Sequence, residues 1–261
     1  MTRKLISIVA AAVAVVAVAI ALPNGGFAQA AEIKVISSPG VRGAMSELAR
    51  RFEGVTGHKV VVDFNVFAIL RRRIDAGETF DVAILSPANF EELIQAGKIA
   101  ADTRTAFGRT GMGLAVRKGG PRPDIISPEA FKQAMLNAKS IAYSKEGGSG
   151  KIFLAVLDRV GIASEMKPKV KAVAGGHTRL FQAVIEGDTE FGFAPVGSIL
   201  ADPAVELVGG LPPELQTYAV FTVGANEAAK EPEAAKALIR FLTGPAAAPV
   251  LKAYGVETGQ Q

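Results

Sequence analysis

The feature that most constrains this chain is a threefold alternation of short apolar runs and helix-spaced segments between residues 32 and 97. Glu32–Ser37 (EIKVIS), Lys59–Phe64 (KVVVDF) and 81–85 (DVAIL) are nearly continuous in apolar residues, as strands covered on both faces must be. Each is followed by a helical pattern. Over 42–53, Met45, Leu48, Ala49 and Phe52 recur on one face, with Gly54 and Gly57 expected to stop the helix. Further helices are expected over 67–76, closed by Gly77, and over 89–96, closed by Gly97. Three β-α units in a row imply a parallel sheet flanked by helices.

The pattern then begins again. A strand is expected at 111–116, followed by a Gly/Pro-rich connector at 117–123. Ser127-Pro128-Glu129 is a helix start, with Ser as N-cap and Pro in the first turn. A strand at 140–143 leads through Gly147-Gly148-Ser149-Gly150 into a helix over 151–160. Strands at 169–173 and 190–194 flank a helix over 178–186. The chain closes with a strand at 218–223, a helix at 232–242, a break at Gly244-Pro245 and a last helix near 247–253. The expected fold is α/β with two lobes, each a mostly parallel sheet flanked by helices. Residues 31–110 begin lobe one, 111–195 form lobe two, and 196–261 make the return crossing and complete lobe one.

Residues 1–30 read as an address. Arg3 and Lys4 precede an apolar run from residue 5 to 22, and Ala28-Gln29-Ala30 ends it with small residues at the two positions a signal peptidase reads. A membrane anchor is the competing reading, since the run is about long enough to span a bilayer. Ala-x-Ala followed at once by a strand favours a signal peptide, and hence an exported, soluble, periplasmic protein. Removing Arg3 and Lys4 lowers the formal charge from +4 to +2. Without clustered Lys/Arg, nucleic acid is not an expected partner.

The chain has no cysteine and two histidines, His58 and His177. Thiolate chemistry and disulfides are therefore excluded, and a His-rich metal centre is not expected. Asp63, Asp75 and Asp81 lack metal-loop spacing, so no metal or cofactor is assigned. Gly147-Gly148-Ser149-Gly150-Lys151 lacks the first glycine and the Lys-Ser/Thr ending of a phosphate loop, and Gly40-Val41-Arg42-Gly43 is no dinucleotide fingerprint. There is no Gly-x-Ser-x-Gly. Arg71-Arg72-Arg73 points in several directions from one helix and reads mainly as a solvated face.

What remains are strand-to-helix loops, where backbone N–H groups and the helix dipole favour an anion. In such sheets ligands bind beyond the C-terminal ends of the strands. The candidate ligand-binding residues are Ser38, Gly40 and Arg42 in the first loop, Asn65 and Val66 in the second, and Ser86 after the third strand. Arg109 before the crossing strand, Gly148, Ser149 and Gly150 in the opposing loop, and Pro195 and Val196 at the return crossing complete the set. Arg42 or Arg109 is the expected clamp for a carboxylate. Glu146, His177 and Lys151 are the groups able to move a proton if they lie in the cleft. His177 reads as an exposed residue at the mouth of the second lobe.

Phe64, Arg72, Ile74, Gly77, Asp81-Val82, Leu93, Gly97 and Ile99, with Asn226, Ala234-Ala235, Leu238-Ile239, Phe241-Leu242 and Tyr254-Gly255, resemble the molybdate-type substrate-binding proteins of ABC transporters. These belong to the type II periplasmic binding-protein class. The resemblance covers essentially the whole chain after residue 30, and implies a monomeric receptor that hands its ligand to an ABC permease. It also implies ligand hydroxyls in the first and second loops and a tyrosine in the second lobe. The first loop keeps Ser37 and Ser38 but has Pro39-Gly40 near the expected serine. The second loop has Asn65-Val66-Phe67-Ala68, and Pro195 stands where the tyrosine is expected. A dianion such as molybdate needs many donors to replace its water. An organic anion fits better, with Val66 and Phe67 against its carbon frame. Some proteins resembling this family are secreted isomerases of aconitate, a tricarboxylate, so a proton-shuttling isomerase is the alternative to a binding protein.

Overall fold

A computed structural model describes residues 30–146 and 148–258; the leader expected at 1–30 lies, but for Ala30, outside them. The first three β-α units form as the apolar runs require. They are β1 (Glu32–Ser37), α1 (Arg42–Thr56), β2 (Lys59–Phe64), α2 (Phe67–Asp75), β3 (Val82–Leu85) and α3 (Pro87–Gln95). A single 3-10 turn, Pro39–Val41, separates β1 from α1. Helix α1 runs past Gly54 and ends at Gly57, whose φ of 73° supplies the left-handed cap.

The crossing strand β4 spans Thr105–Arg117, six residues longer at its start than the sequence pattern suggests. The second lobe follows with α4 (Pro128–Asn137), β5 (Ile141–Ser144), α5 (Gly148–Arg159), α6 (Ala163–Met166), β6 (Val170–Val173), α7 (Gly176–Ile185) and β7 (Phe191–Pro195). Ser127 caps α4, its Oγ accepting from Ala130 N at 3.1 Å. The chain then runs through α8 (Val196–Leu200), β8 (Val205–Gly210), β9 (Tyr218–Ala225), α9 (Pro232–Thr243), α10 (Ala248–Ala253) and β10 (Val256–Glu257).

The strands follow the order β2-β1-β3-β9-β4-β7-β5-β6, with β8 and β10 also paired to β4. Pairing is parallel within the β-α units, β1 with β2 and β3, and β5 with β6 and β7. The crossing strands β4 and β9 pair antiparallel with their neighbours. Two principal apolar cores result. One packs Met45, Leu48 and Phe52 with Val223, Leu238 and Leu242; the other packs Met112 and Leu114 with Phe131, Phe153 and Phe193. Burying such side chains stabilises each by roughly 1.5–3 kcal/mol. β8 pairs with residues 113–117 of β4, and Leu211 and Leu215 belong to the second core.

Candidate ligand-binding cleft

The starts of α2, α3, α5 and α7, with the turn after β1, open onto one cleft between the lobes. Each strand ends where its loop must turn, which sets the helix starts side by side. Ser38 N donates to Ile84 O at 2.9 Å and Asn65 N to Ser37 O at 3.1 Å, so the three loops of lobe one are tied together. Ser86 is the N-cap of α3, its Oγ accepting from Asn89 N at 3.4 Å. On the opposite wall, α7 begins at Gly176 with Gly175 as its N-cap, and their φ values of 72° and 93° are ones a side chain would oppose. That double glycine delivers His177 to the cleft.

The cleft has two chambers. The larger, about 750 Å³, is lined by Ser38, Gly40, Phe67, Ser86, Asn89, Gly148, Ser149, Pro195 and Tyr218, with Lys145 and Lys151 as its cations. The smaller, about 300 Å³, is lined by Arg42, Phe64, Asn65, Ile69, Thr178, Phe181, Ser198 and Asp202. Pro39, Val66, Glu146, Gly176 and His177 line both, and so stand at the partition.

Arg42 lays its guanidinium over the Phe64 ring, 4.4 Å from the centroid, a cation–π contact. No carboxylate lies within ion-pair distance of it among the described residues. Burial lowers its pKa, and the charge of Asp63 opposes that shift. Asp63 itself is engaged by Arg73 at 2.5 Å and accepts from Asn65 Nδ2 at 3.2 Å. Arg71 and Arg73 are held in ion pairs with Asp75 and Glu78 on the solvent side, the solvated face expected of that run.

His177 is not the exposed residue the sequence suggests. Its ring is partly buried and stacks on Phe181 at 6.1 Å between centroids. Nε2 lies 3.3 Å from Ser149 Oγ, while Nδ1 is buried without a hydrogen-bond partner among the described residues. Burial, and then the nearby charge of Arg42, lowers its pKa to about 4, so the imidazole is neutral at pH 7.

Most of the expected residues meet here: Ser38, Gly40, Arg42, Asn65, Val66, Ser86, Gly148, Ser149 and Pro195, with Glu146, Lys151 and His177. Three do not. Arg109 lies inside β4 rather than before it, paired to Glu257 at 3.0 Å and stacked over Tyr218, so its guanidinium is already occupied. Gly150 faces inward, where a Cβ would come 2.4 Å from Ser144 O. Val196 turns its methyls against Gly113 and Gly255. Phe64, Phe181, Ser198, Asp202 and Tyr218 are cleft residues that the sequence reading did not select. For Phe181 a signal existed: it lies one helical turn beyond His177, on the same face.

The pattern shared by bacterial extracellular solute-binding proteins matches residues 33–257. The chain belongs to this family. An aconitate isomerase from a Pseudomonas species is 26% identical over 230 residues, covering 86% of this chain and 87% of that protein. The molybdate-binding protein ModA of Azotobacter vinelandii is 30% identical over 244 residues, covering 87% and 90%. The solved periplasmic molybdate-binding protein of Azotobacter vinelandii has the same fold, with a TM-score of 0.72 at 19% identity over 87% of this chain and all of that one. This is a solute-binding protein of the ABC-transporter type, built on the molybdate-binding fold.

Proposed function

We propose that this solute-binding protein is an exported, monomeric periplasmic receptor that closes on a small organic anion, a carboxylate rather than molybdate, and delivers it to an ABC permease. The observation that carries this reading is Arg42, a cation with no ion-pair partner among the described residues, on the wall of a chamber where Phe64, Ile69 and Phe181 stand beside the polar Asn65, Thr178, Ser198 and Asp202. Apolar walls with a few convergent polar groups suit a carbon frame with an anionic end. Where the molybdate-type pattern expects hydroxyls, Pro39-Gly40, Asn65 to Ala68 and Pro195 stand instead, and several of them line the cleft. Lobe two in this reading comprises 111–215, since β8 and Leu215 pack with it, and lobe one comprises 31–110 and 216–258. Closure brings the helix starts of both lobes onto the ligand and expels water.

The relationship to an aconitate isomerase gives the test its second arm. A thermal-shift screen of the purified protein against oxyanions and mono-, di- and tricarboxylates is followed by NMR of each stabilising acid. Binding raises the melting point by mass action. A carboxylate that stabilises the protein and stays unchanged is the expected result. Conversion of that acid overturns the receptor reading, and stabilisation by molybdate alone overturns the preference for carboxylates.

A further inference from the structure

We infer that the ligand is an organic acid with two anionic groups at opposite ends of a short carbon frame, one end in each chamber, and that Arg42 selects for the second group. This deepens the carboxylate reading and rests on it. A compact tetrahedral oxyanion occupies one chamber and leaves the other empty. A two-ended acid fills both. The larger chamber holds one end with Lys145, Lys151 and the starts of α2, α3 and α5.

The smaller chamber is equipped for the other end. Arg42 is fixed over Phe64 and has no ion-pair partner among the described residues. Of the carboxylates around it, Asp63 is engaged by Arg73, and Asp202 accepts from Ala204 N at 3.0 Å within its own turn. Thr178 and Ser198 line the same chamber and add hydroxyl-bearing side chains to it. Glu146, at the partition, repels a carboxylate laid beside it. That repulsion places the uncharged stem at the partition, against Val66, and the two charges to either side.

Calorimetric titration of the purified protein with glutarate and with butyrate, chains of similar length with two and one carboxylates, tests this. Glutarate is expected to bind on the order of tenfold to a hundredfold more tightly, the range for a hydrogen bond to a charged group. Arg42→Gln is expected to bring that ratio close to one, and Arg42→Lys to retain part of it. A thermal melt of each variant verifies folding. A ratio that Arg42→Gln leaves unchanged overturns the inference while the carboxylate reading stands. Equal binding of the two acids by the unaltered protein overturns it in the same way. If neither acid binds and molybdate does, the carboxylate reading falls, and the two-ended ligand falls with it.

Discussion

Ser149 Oγ lies 3.3 Å from His177 Nε2, which fixes the imidazole across the partition of the cleft and leaves its Nδ1 buried without a partner among the described residues. With its pKa lowered to about 4, the ring that stands between the two chambers is neutral at pH 7, held at Nε2 and without a partner at Nδ1 among the described residues. Arg42, Asn65, Glu146, Thr178, Ser198 and Asp202 are the other titratable or polar side chains lining the same space.

The stability of the protein carries the signature of this histidine. Its pKa is lowered from 6.5 to about 4, by burial first and by Arg42 second. Between those two values the unfolded chain binds the proton more readily, so stability is full above pH 6.5 and is lost as pH falls toward 4. For a partly buried ring the loss is about 2 kcal/mol, less than the full shift implies because water remains nearby. Urea unfolding of the unaltered protein and of His177→Gln between pH 4 and 7 measures it. The two should differ in pH slope below 6.5, and identical slopes would remove His177 as the cause.

Gly148 and Gly150 begin the same helix but answer differently to a methyl group. A Cβ at Gly148 meets nothing within 4 Å, whereas one at Gly150 comes 2.4 Å from Ser144 O and 2.6 Å from the Tyr143 ring. Gly150→Ala is expected to destabilise by about 2–4 kcal/mol, since backbone must move. Gly148→Ala should be neutral or slightly stabilising, by up to about 1 kcal/mol. Chemical denaturation midpoints of the two variants distinguish them.

Asp81 is a buried carboxylate that accepts from Lys34 N at 2.8 Å, Lys230 N at 2.8 Å and Glu231 N at 3.3 Å. It joins β1 to the start of α9, almost two hundred residues later in the chain. Asp81→Ala leaves these donors without an acceptor and is expected to cost about 3–5 kcal/mol. The check is the melting temperature, with loss of the native near-ultraviolet dichroism at the growth temperature as the extreme outcome.

Arg109 provides the contrast to Arg42. Its guanidinium is paired to Glu257 and stacked on Tyr218, on a side chain 46% exposed. Arg109→Ala is expected to change ligand affinity by less than about threefold and stability by no more than about 1 kcal/mol. A titration showing a loss as large as that for Arg42→Gln would return Arg109 to the ligand.

The parts of the fold legible in the sequence were those governed by local pattern. The alternation at 32–97 yielded β1, β2 and β3 with their helices, because apolar run length and period act within one element. The start of β4 at Thr105 was hidden by a register shift near Gly108, which breaks the twofold period. β8 was missed because Val205–Gly210 ends in two glycines and its strand-forming partner is β4, nearly a hundred residues earlier. The same limit applies to the cleft. Strand-to-helix loops located it, but which side chains face it depends on distant partners. Arg109 is drawn away by Glu257, 148 residues along the chain, and Gly150 is turned inward by Tyr143 and Ser144.

Strand β4 pairs with β9 over its first half and with β7 and β8 over its second, so one unbroken run of backbone serves both cores. The two halves of the molecule are therefore not expected to fold as separate pieces. Any cut that frees one leaves the other with an open sheet margin, and a chain so divided would seek neighbours to cover it. The shared strand ties the integrity of the cleft to the integrity of the whole polypeptide.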